Sequence, residues 1–326
     1  MIDFRYHLVS IVAVFLALTV GLVLGTTMLQ DPLLESMQSE TADLRGQSED
    51  LRAERDEAEL LNAGADRLAE ATAGDVLTDR LKGVELVVVA APGADEDVVH
   101  GLGERAEEAG AEVAGRVLMR DALLADDGAT FVDELALQVS DAPTELTGGP
   151  HDKAGAELGR ALAVQGETDE GGHDAAAVLA AFEEGGLITV QGSPAAVARA
   201  LIVVAPAGQV EEDTEVATTA LIALATAMNR KVGAMVLAGG SEAAHEGGII
   251  ARSLAEDASY STVDVAGRPA GDVVAVLALA EAVEGGRGAY GVGEGASGFL
   301  PEPLPEARSG DAPSEIEVDA AARTEE

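Results

Sequence analysis

The sequence predicts an α/β protein in which an N-terminal transmembrane helix and a coiled-coil stalk precede an α/β domain of two related Rossmann-like halves. The supporting observations are an uncharged run near the N-terminus, a proline-free segment with heptad spacing, and two similar strand–turn–helix units. The predicted boundaries are a cytoplasmic N-terminus at 1–7, a transmembrane helix at 8–29, a coiled-coil helix at 33–72, an α/β domain at 83–300 and a disordered acidic tail at 301–326.

The uncharged run LVSIVAVFLALTVGLVLGTTML, residues 8–29, is long enough to cross a bilayer. About 22 helical residues span roughly 30 Å. A secretory signal has a shorter apolar region followed by a cleavage site, and no clear site follows here, so we expect an uncleaved anchor. Arg5 and His7 precede the run, whereas Asp31 and Glu35 follow it. The positive-inside rule then predicts a cytoplasmic N-terminus and an extracytoplasmic position for the rest of the chain.

Small residues recur on one face of the predicted span, at Ala13, Ala17, Gly21 and Gly25. This spacing lets two membrane helices approach closely, and it predicts an oligomer contact. Glycine and alanine are also common in membrane helices and in this chain, so an interpretation without a partner stays open.

The segment 33–72 contains no proline and is rich in Glu, Arg, Leu and Ala, which predicts a helix. Met37, Leu44 and Leu51 recur every seven residues, whereas polar Glu40 and Gln47 occupy the second heptad position. This partly apolar seam predicts a parallel coiled coil that continues the membrane helix. The alternative is a single helix that packs on its own globular domain.

Two similar segments define the predicted halves of the domain, LVVVAAPG at 86–93 and LIVVAPAG at 201–208. Continuous β-branched runs of this kind predict strands that are buried on both faces. The halves cover about 83–125 and 186–300, and a helical, glycine-rich and acidic insertion covers 126–185. They form either an internal duplication or one long doubly wound sheet.

The charge balance excludes a large class of partners. The chain has 59 acidic and 20 basic side chains, a formal net charge of −39, so phosphate backbones repel it and we expect no nucleic-acid partner. Because the chain has no Cys, disulfides and thiolate metal ligands are excluded.

No segment has the pattern of a catalytic or cofactor site, so we expect no enzymatic activity and no cofactor. The turns after the two apolar runs lack phosphate-binding glycine motifs, and the acids at 95–97 occupy the helix start where a phosphate would bind. The segment YGVGEGASG at 290–298 precedes no helix or cation, which indicates a structural loop. The acid-flanked His151, His173 and His245 offer too few converging ligands for a hydrolytic metal site.

Six segments in order along the chain resemble the actinobacterial MctB family, the mycobacterial copper transport protein B group. They are MIDFRYHLVSIVAVFLALTVGLVLGT, VVVAAPGADEDVV, GLITVQGSP, VAPAG with TEVATTALIALA, STVDVAGRPAGDVVAVLALAEAV and YGVGEGASGFLP. The resemblance implies an envelope protein, in a family assigned to the outer membrane, that transports copper or forms a pore and keeps intracellular copper low. It assigns no catalytic or ligand role to any residue of this chain.

Copper is therefore expected as a transported ion and not as a resident cofactor. Copper(I) prefers thiolate and thioether ligands, yet the chain has no Cys and six Met. The weak metal candidates are His7 and Met28, which are more simply explained as residues at the membrane boundary. Ser10 and Thr19 are nine positions apart, so the span has no continuous polar stripe and a pore would need many copies.

A second hypothesis makes the chain a bitopic envelope scaffold or adaptor, whose coiled coil acts on partners in cell-wall remodelling or division. Both hypotheses include a membrane and a homo-oligomer, a parallel dimer or higher. The second adds an envelope protein partner. Copper conductance across liposomes distinguishes the two.

Overall fold

The computed structural model describes residues 3–164, 174–208 and 214–308, with the side chains of 4–25, 37 and 39–77 in the first helix and those from Glu215 onward in the seventh. The helices are α1 Asp3–Leu77, α2 Glu96–Glu108, α3 Asp121–Leu124, α4 Ala129–Val139, α5 Pro150–Leu162, α6 Ala175–Glu184, α7 Thr214–Val232, α8 Ile249–Ala255 and α9 Pro269–Val283. The strands are β1 Glu85–Ala90, β2 Glu112–Met119, β3 Ile188–Gly192, β4 Ala200–Val204, β5 Met235–Ala238, β6 Ser261–Val263 and β7 Ala289–Tyr290. The predicted α/β class is confirmed.

The chain consists of two units, Met1–Gly64 and Ala65–Glu326. The first unit is helical from Asp3 onward, and one helix, α1, covers both the predicted membrane span and the predicted stalk. Pro32 lies within this helix and does not end it, although proline cannot donate the backbone hydrogen bond of a helix interior.

A single seven-stranded sheet organises the second unit, in the order β3-β2-β1-β4-β5-β6-β7. All neighbouring strands are parallel except β2 and β3. Every residue of β4 and β5 is buried, as expected for apolar runs covered on both faces. The first strands of the predicted halves, β1 and β4, are neighbours with Val88 opposite Ile202. The two halves therefore share one doubly wound sheet.

Helices cover both faces of this sheet. On one face α2, α9 and the end of α1 pack on the sheet around Leu77, Leu102 and Leu279. On the other face α3 to α8 surround a larger cluster that includes Phe182 and Leu224. Within this cluster α5 and α7 approach closely at Gly155, which has no side chain. A Cβ atom on Gly155 would lie only 2.9 Å from the Cα of Leu224. The predicted insertion thus covers the sheet with α4, α5 and α6.

Strand β3 was not predicted. Its burial falls from Ile188, which is buried, to Gln191 and Gly192, which are exposed, so it lacks the continuous apolar run that marks the central strands. It occupies the edge of the sheet and pairs antiparallel with β2. An edge strand buries less of its surface, and a short one carries a weak sequence signal.

The domain core begins before Gly83, where the sequence had suggested its start. Ala73, Leu77 and Leu81 are at most 1% exposed, so the last turn of α1 and the residues after it, which lie beyond the predicted stalk at 33–72, pack on the sheet domain.

The predicted disordered tail needs a correction over 301–308. Pro301 and Pro305 are buried, and the backbone N–H of Arg308 donates to the carbonyl oxygen of Asp79 at 2.9 Å. These contacts order the start of the tail. The remainder of the tail, like His173, lies outside the described residues.

Candidate functional site

The N-terminal helix carries the most distinctive surface of the chain. Residues Phe4–Gly25 have a mean hydropathy of 2.7 and none of them is buried. By length and composition this segment can cross a bilayer, and a signal sequence would satisfy the same test. Phe15 and Leu22, for example, are 64% and 68% exposed. Such a continuous apolar surface is unfavourable in water.

The predicted small-residue face lies on this exposed helix. Ala13, Ala17, Gly21 and Gly25 are all exposed, and a Cβ atom built on either glycine would have no atom of the chain within 4 Å. The hydroxyl of Thr19 donates to the carbonyl oxygen of Phe15 at 2.7 Å, so it is satisfied by its own helix. The oligomer contact stays a prediction.

The predicted stalk seam is exposed in the first unit. Met37, Leu44 and Leu51 are 57%, 65% and 65% exposed. Their spacing puts them on one stripe of the helix, a geometry that a second helix can cover. The coiled coil itself stays a prediction.

The metal candidates do not form a described site. His7 is exposed, and the side chain of Met28 lies outside the described residues. Among the residues that the structure describes, no group of three or more His, Cys, Asp or Glu side chains could hold a metal ion. Burial lowers the pKa of His151, which favours a neutral ring.

The two similar loops meet at the carboxyl edge of the sheet, where ligands of doubly wound sheets bind. The N–H of Ala207 donates to the carbonyl oxygen of Gly93 at 2.9 Å, which joins the loop after β4 to the loop after β1. The carboxylate of Asp95 accepts from the N–H of Asp97 at 2.8 Å and caps α2. This capping agrees with the prediction that acids occupy the helix start.

The glycine-rich segment 290–298 is held by a carboxylate of the protein itself. Asp264, which is 3% exposed, accepts from the N–H groups of Val292 and Gly293 at 2.9 and 2.8 Å. A Cβ atom on Gly293 would lie 2.7 Å from the same carboxylate. The loop therefore surrounds an internal anion, which supports its interpretation as a structural loop.

The sequence did not reveal the ion pairs that tie the end of α1 to the sheet domain. Arg268 donates to Asp66 through Nη2 at 2.6 Å and through Nε at 3.0 Å, and Glu70 pairs with Arg105 at 2.8 Å. Arg105 lies on α2 and its side chain is only 11% exposed. Asp66 and Arg268 are 202 positions apart, so no local pattern could have paired them.

Burial raises the pKa of Asp272, which lies beside this cluster. The N–H of Gly267, at 2.9 Å from its carboxylate, and the charge of Arg105 oppose the shift, whereas the charges of Glu70 and Asp66 add to it. The end of α1 is therefore held by a charged cluster as well as by apolar packing.

Comparison with known proteins identifies relatives over nearly the whole chain. A family model described as "Copper transport outer membrane protein, MctB" matches residues 1–301. Proteins named "Copper transporter MctB" from Mycobacterium tuberculosis and Mycobacterium bovis are each 30% identical over 309 residues, which cover 91% of this chain and 98% of the relative. The protein of the same name from Mycobacterium leprae is 29% identical over 312 residues, with the same coverage.

Proposed function

This chain belongs to the MctB family, and from that membership we propose that it acts in copper transport and copper homeostasis as a membrane-anchored envelope protein. The observation that carries the proposal is the family match over residues 1–301, which includes both the apolar helix and the sheet domain. The copper function is that named for its relatives. No enzymatic step forms part of the proposal.

The proposed anchor is the segment 4–25 of α1, with the N-terminus in the cytoplasm and the sheet domain outside it. The exposed apolar side chains of this segment support the anchor, because a bilayer removes them from water. Arg5 and His7 support the orientation. The family description names the outer membrane, and membrane fractionation with immunodetection identifies the membrane that holds the protein.

Copper is proposed as cargo. A transported ion must leave a site as readily as it enters, so transport does not require a tight resident site. A single apolar helix offers no water-filled path, and any flux through the membrane segment therefore requires several copies.

Copper measurements in cells test this function. Cells that lack the gene should retain more copper and tolerate less of it than cells with the gene restored, measured as cell-associated copper and as growth over a copper series. The restored double variant His7→Leu/Met28→Leu should behave as the unmodified protein, because both residues lie at the ends of the apolar run and are more simply explained as residues at the membrane boundary than as copper ligands. Unchanged copper content without the gene contradicts the copper function. Copper sensitivity of the double variant at normal protein level indicates direct contact with the helix.

The proposal includes self-association of α1. The exposed stripe of Met37, Leu44 and Leu51 favours a parallel pair of stalk helices, since association covers these side chains. The same stripe also favours the second candidate function, an envelope scaffold that presents the sheet domain to a protein partner. In the copper-transport function the stripe binds a second copy of the chain. In the scaffold function the paired stalk helices recruit another protein.

Cysteine crosslinking tests the association. Leu44→Cys should form a disulfide between two copies, whereas the control Ala42→Cys, two positions along the helix and away from the stripe, should not. Adding Gly21→Leu with Gly25→Leu should reduce the crosslink without a clash inside the chain, because both positions are open. Equal crosslinking at residues 42 and 44 contradicts a specific seam.

A further inference from the structure

A crevice of about 530 Å³ lies beside the carboxyl ends of β1 and β2, next to the first turns of α2. Ala90 and Leu118, which are opposite each other in the sheet, form part of its apolar lining, and Pro92 borders it. This volume lies in the range of small-molecule sites and exceeds the space that a simple ion needs. The crevice lies at the edge where doubly wound sheets bind their ligands.

Two arginines line this crevice without a carboxylate partner. Arg116 on β2 lies 3.0 Å from Nδ1 of His100 through Nη2, and its buried Nε has no hydrogen-bond partner among the described residues. Arg120 directs both Nε and Nη2 to the hydroxyl oxygen of Thr189, at 3.0 and 2.7 Å. Over the described part of the chain neither arginine forms an ion pair with an acid. Neutral acceptors leave both positive charges uncompensated.

Acids outnumber bases by 59 to 20 in this chain, so carboxylate partners for arginine are abundant. Arg105, Arg268 and Arg287 of the same domain each pair with a carboxylate at 3.2 Å or less. Two guanidinium groups that line the same crevice without a carboxylate repel each other, and an anionic group bound near both reduces that repulsion. Guanidinium donors bind carboxylates in paired hydrogen bonds.

His100 orients one of these arginines. Arginine can only donate, so Nδ1 of His100 accepts from Arg116, and Nε2 carries the proton that it donates to Glu104 at 3.1 Å. The chain of contacts from Glu104 through His100 fixes one end of the Arg116 guanidinium. A guanidinium has five N–H donors, and the contact to His100 uses one of them.

Carboxylates in the same lining restrict the ligand. Glu96 and Asp97, in the first turn of α2, also line the crevice. They repel a polyanion such as a phosphate ester, and they attract a ligand cation. The charged lining therefore carries two positive and two negative groups, a pattern that complements a molecule with one charge of each sign.

We propose that this crevice binds a zwitterionic amino acid or short peptide, with its carboxylate between Arg116 and Arg120 and its ammonium group toward Glu96 and Asp97. The aliphatic part of the ligand then lies against Ala90 and its neighbours. This site is separate from the proposed copper function and does not depend on it.

Calorimetric titration of the full-length protein in detergent tests the site with alanyl-alanine as the probe. The dipeptide should bind. Its C-terminal amide should bind with an affinity lower by about tenfold or more, because the amide lacks the charged acceptor. The N-acetyl dipeptide should also bind more weakly than the free dipeptide, and inorganic phosphate should not compete. Absence of dipeptide binding, or equal binding of the amide, overturns the proposal. Tight phosphate binding overturns it in favour of an inorganic anion site.

Variants locate the binding. Arg116→Gln/Arg120→Gln should weaken dipeptide binding by about tenfold or more. The control Arg45→Gln/Arg52→Gln removes the same charge from the exposed stalk and should leave binding unchanged. Arg120→Lys keeps the charge at an exposed position and should weaken binding because the paired donors are lost. Near-ultraviolet circular dichroism verifies that each variant is folded. Wild-type affinity in the folded double variant, or in Arg120→Lys, overturns the assignment.

Discussion

Replacement of Gly155 by alanine should destabilise the sheet domain, although the same change usually stabilises a helix. A Cβ atom at this position would meet the carbonyl oxygen of Leu224 first, and it would lie 2.9 Å from both the Cα of Leu224 and the Cβ of Ala227 on α7. Carbon atoms prefer separations of about 3.5–4.0 Å, so α5 and α7 have to separate by roughly 0.6–1.1 Å. The atoms that obstruct the Cβ belong to the second helix, whose backbone cannot rotate away as a long side chain can.

The expected loss combines two opposing effects. Overpacking costs about 1–3 kcal/mol, and here the upper end applies because backbone atoms obstruct the methyl group. Alanine gains about 1 kcal/mol over glycine in helix propensity. We therefore expect a net destabilisation of about 2 kcal/mol, which lowers the melting temperature of a domain of this size by roughly 4–8 °C.

Gly101 on α2 provides the matched control. A Cβ atom there would lie 3.8 Å from the nearest atom, Oδ2 of Asp272, which is an ordinary contact. Gly101→Ala should therefore stabilise the domain by about 0.5–1 kcal/mol. The same substitution in two helices of one domain should thus have opposite signs.

Thermal unfolding followed by near-ultraviolet circular dichroism measures both changes. Tyr260 and Tyr290 are 4% and 7% exposed inside the sheet domain, whereas Tyr6 is 73% exposed on α1, so the tyrosine signal reports on the domain. The reasoning is refuted if Gly155→Ala melts at or above the temperature of the unmodified protein while Gly101→Ala behaves as expected.

Topology and pH dependence supply two further predictions. Ser259 is exposed on the sheet domain, and a single cysteine in its place should react with a membrane-impermeant thiol reagent in spheroplasts. A single cysteine in place of Asp3 should not react. If only the cysteine at position 3 is labelled, the orientation is the reverse of the one proposed. Asp272→Asn should gain stability relative to the unmodified protein as the pH rises above about 4, measured by urea unfolding over a pH series. Burial raises the pKa of the folded carboxyl, so ionisation of Asp272 costs folding free energy at higher pH, a cost that asparagine lacks. A stability difference that does not change with pH contradicts this role of Asp272.

Local patterns predicted most of the secondary structure because they depend on near neighbours in the chain. The uncharged run, the β-branched runs of β1 and β4 and the acidic cap of α2 are each properties of a short segment. The same patterns could not locate β3, whose edge position leaves it half-exposed, or the ordered start of the tail. In both cases the contacts come from distant parts of the chain.

The sequence by itself determined the exposed apolar helix, the α/β class, the acidic character and the family resemblance, because each follows from composition or from the order of residues. Only the tertiary structure decided which groups meet. The adjacency of β1 and β4, the pairing of Asp66 with Arg268 and the position of Asp264 inside the glycine-rich loop join segments that are far apart in the chain. The crevice with Arg116 and Arg120 likewise depends on the neighbouring β3 and α2. These contacts arise when the helices bury both faces of one sheet, a global requirement that no local period of the sequence records.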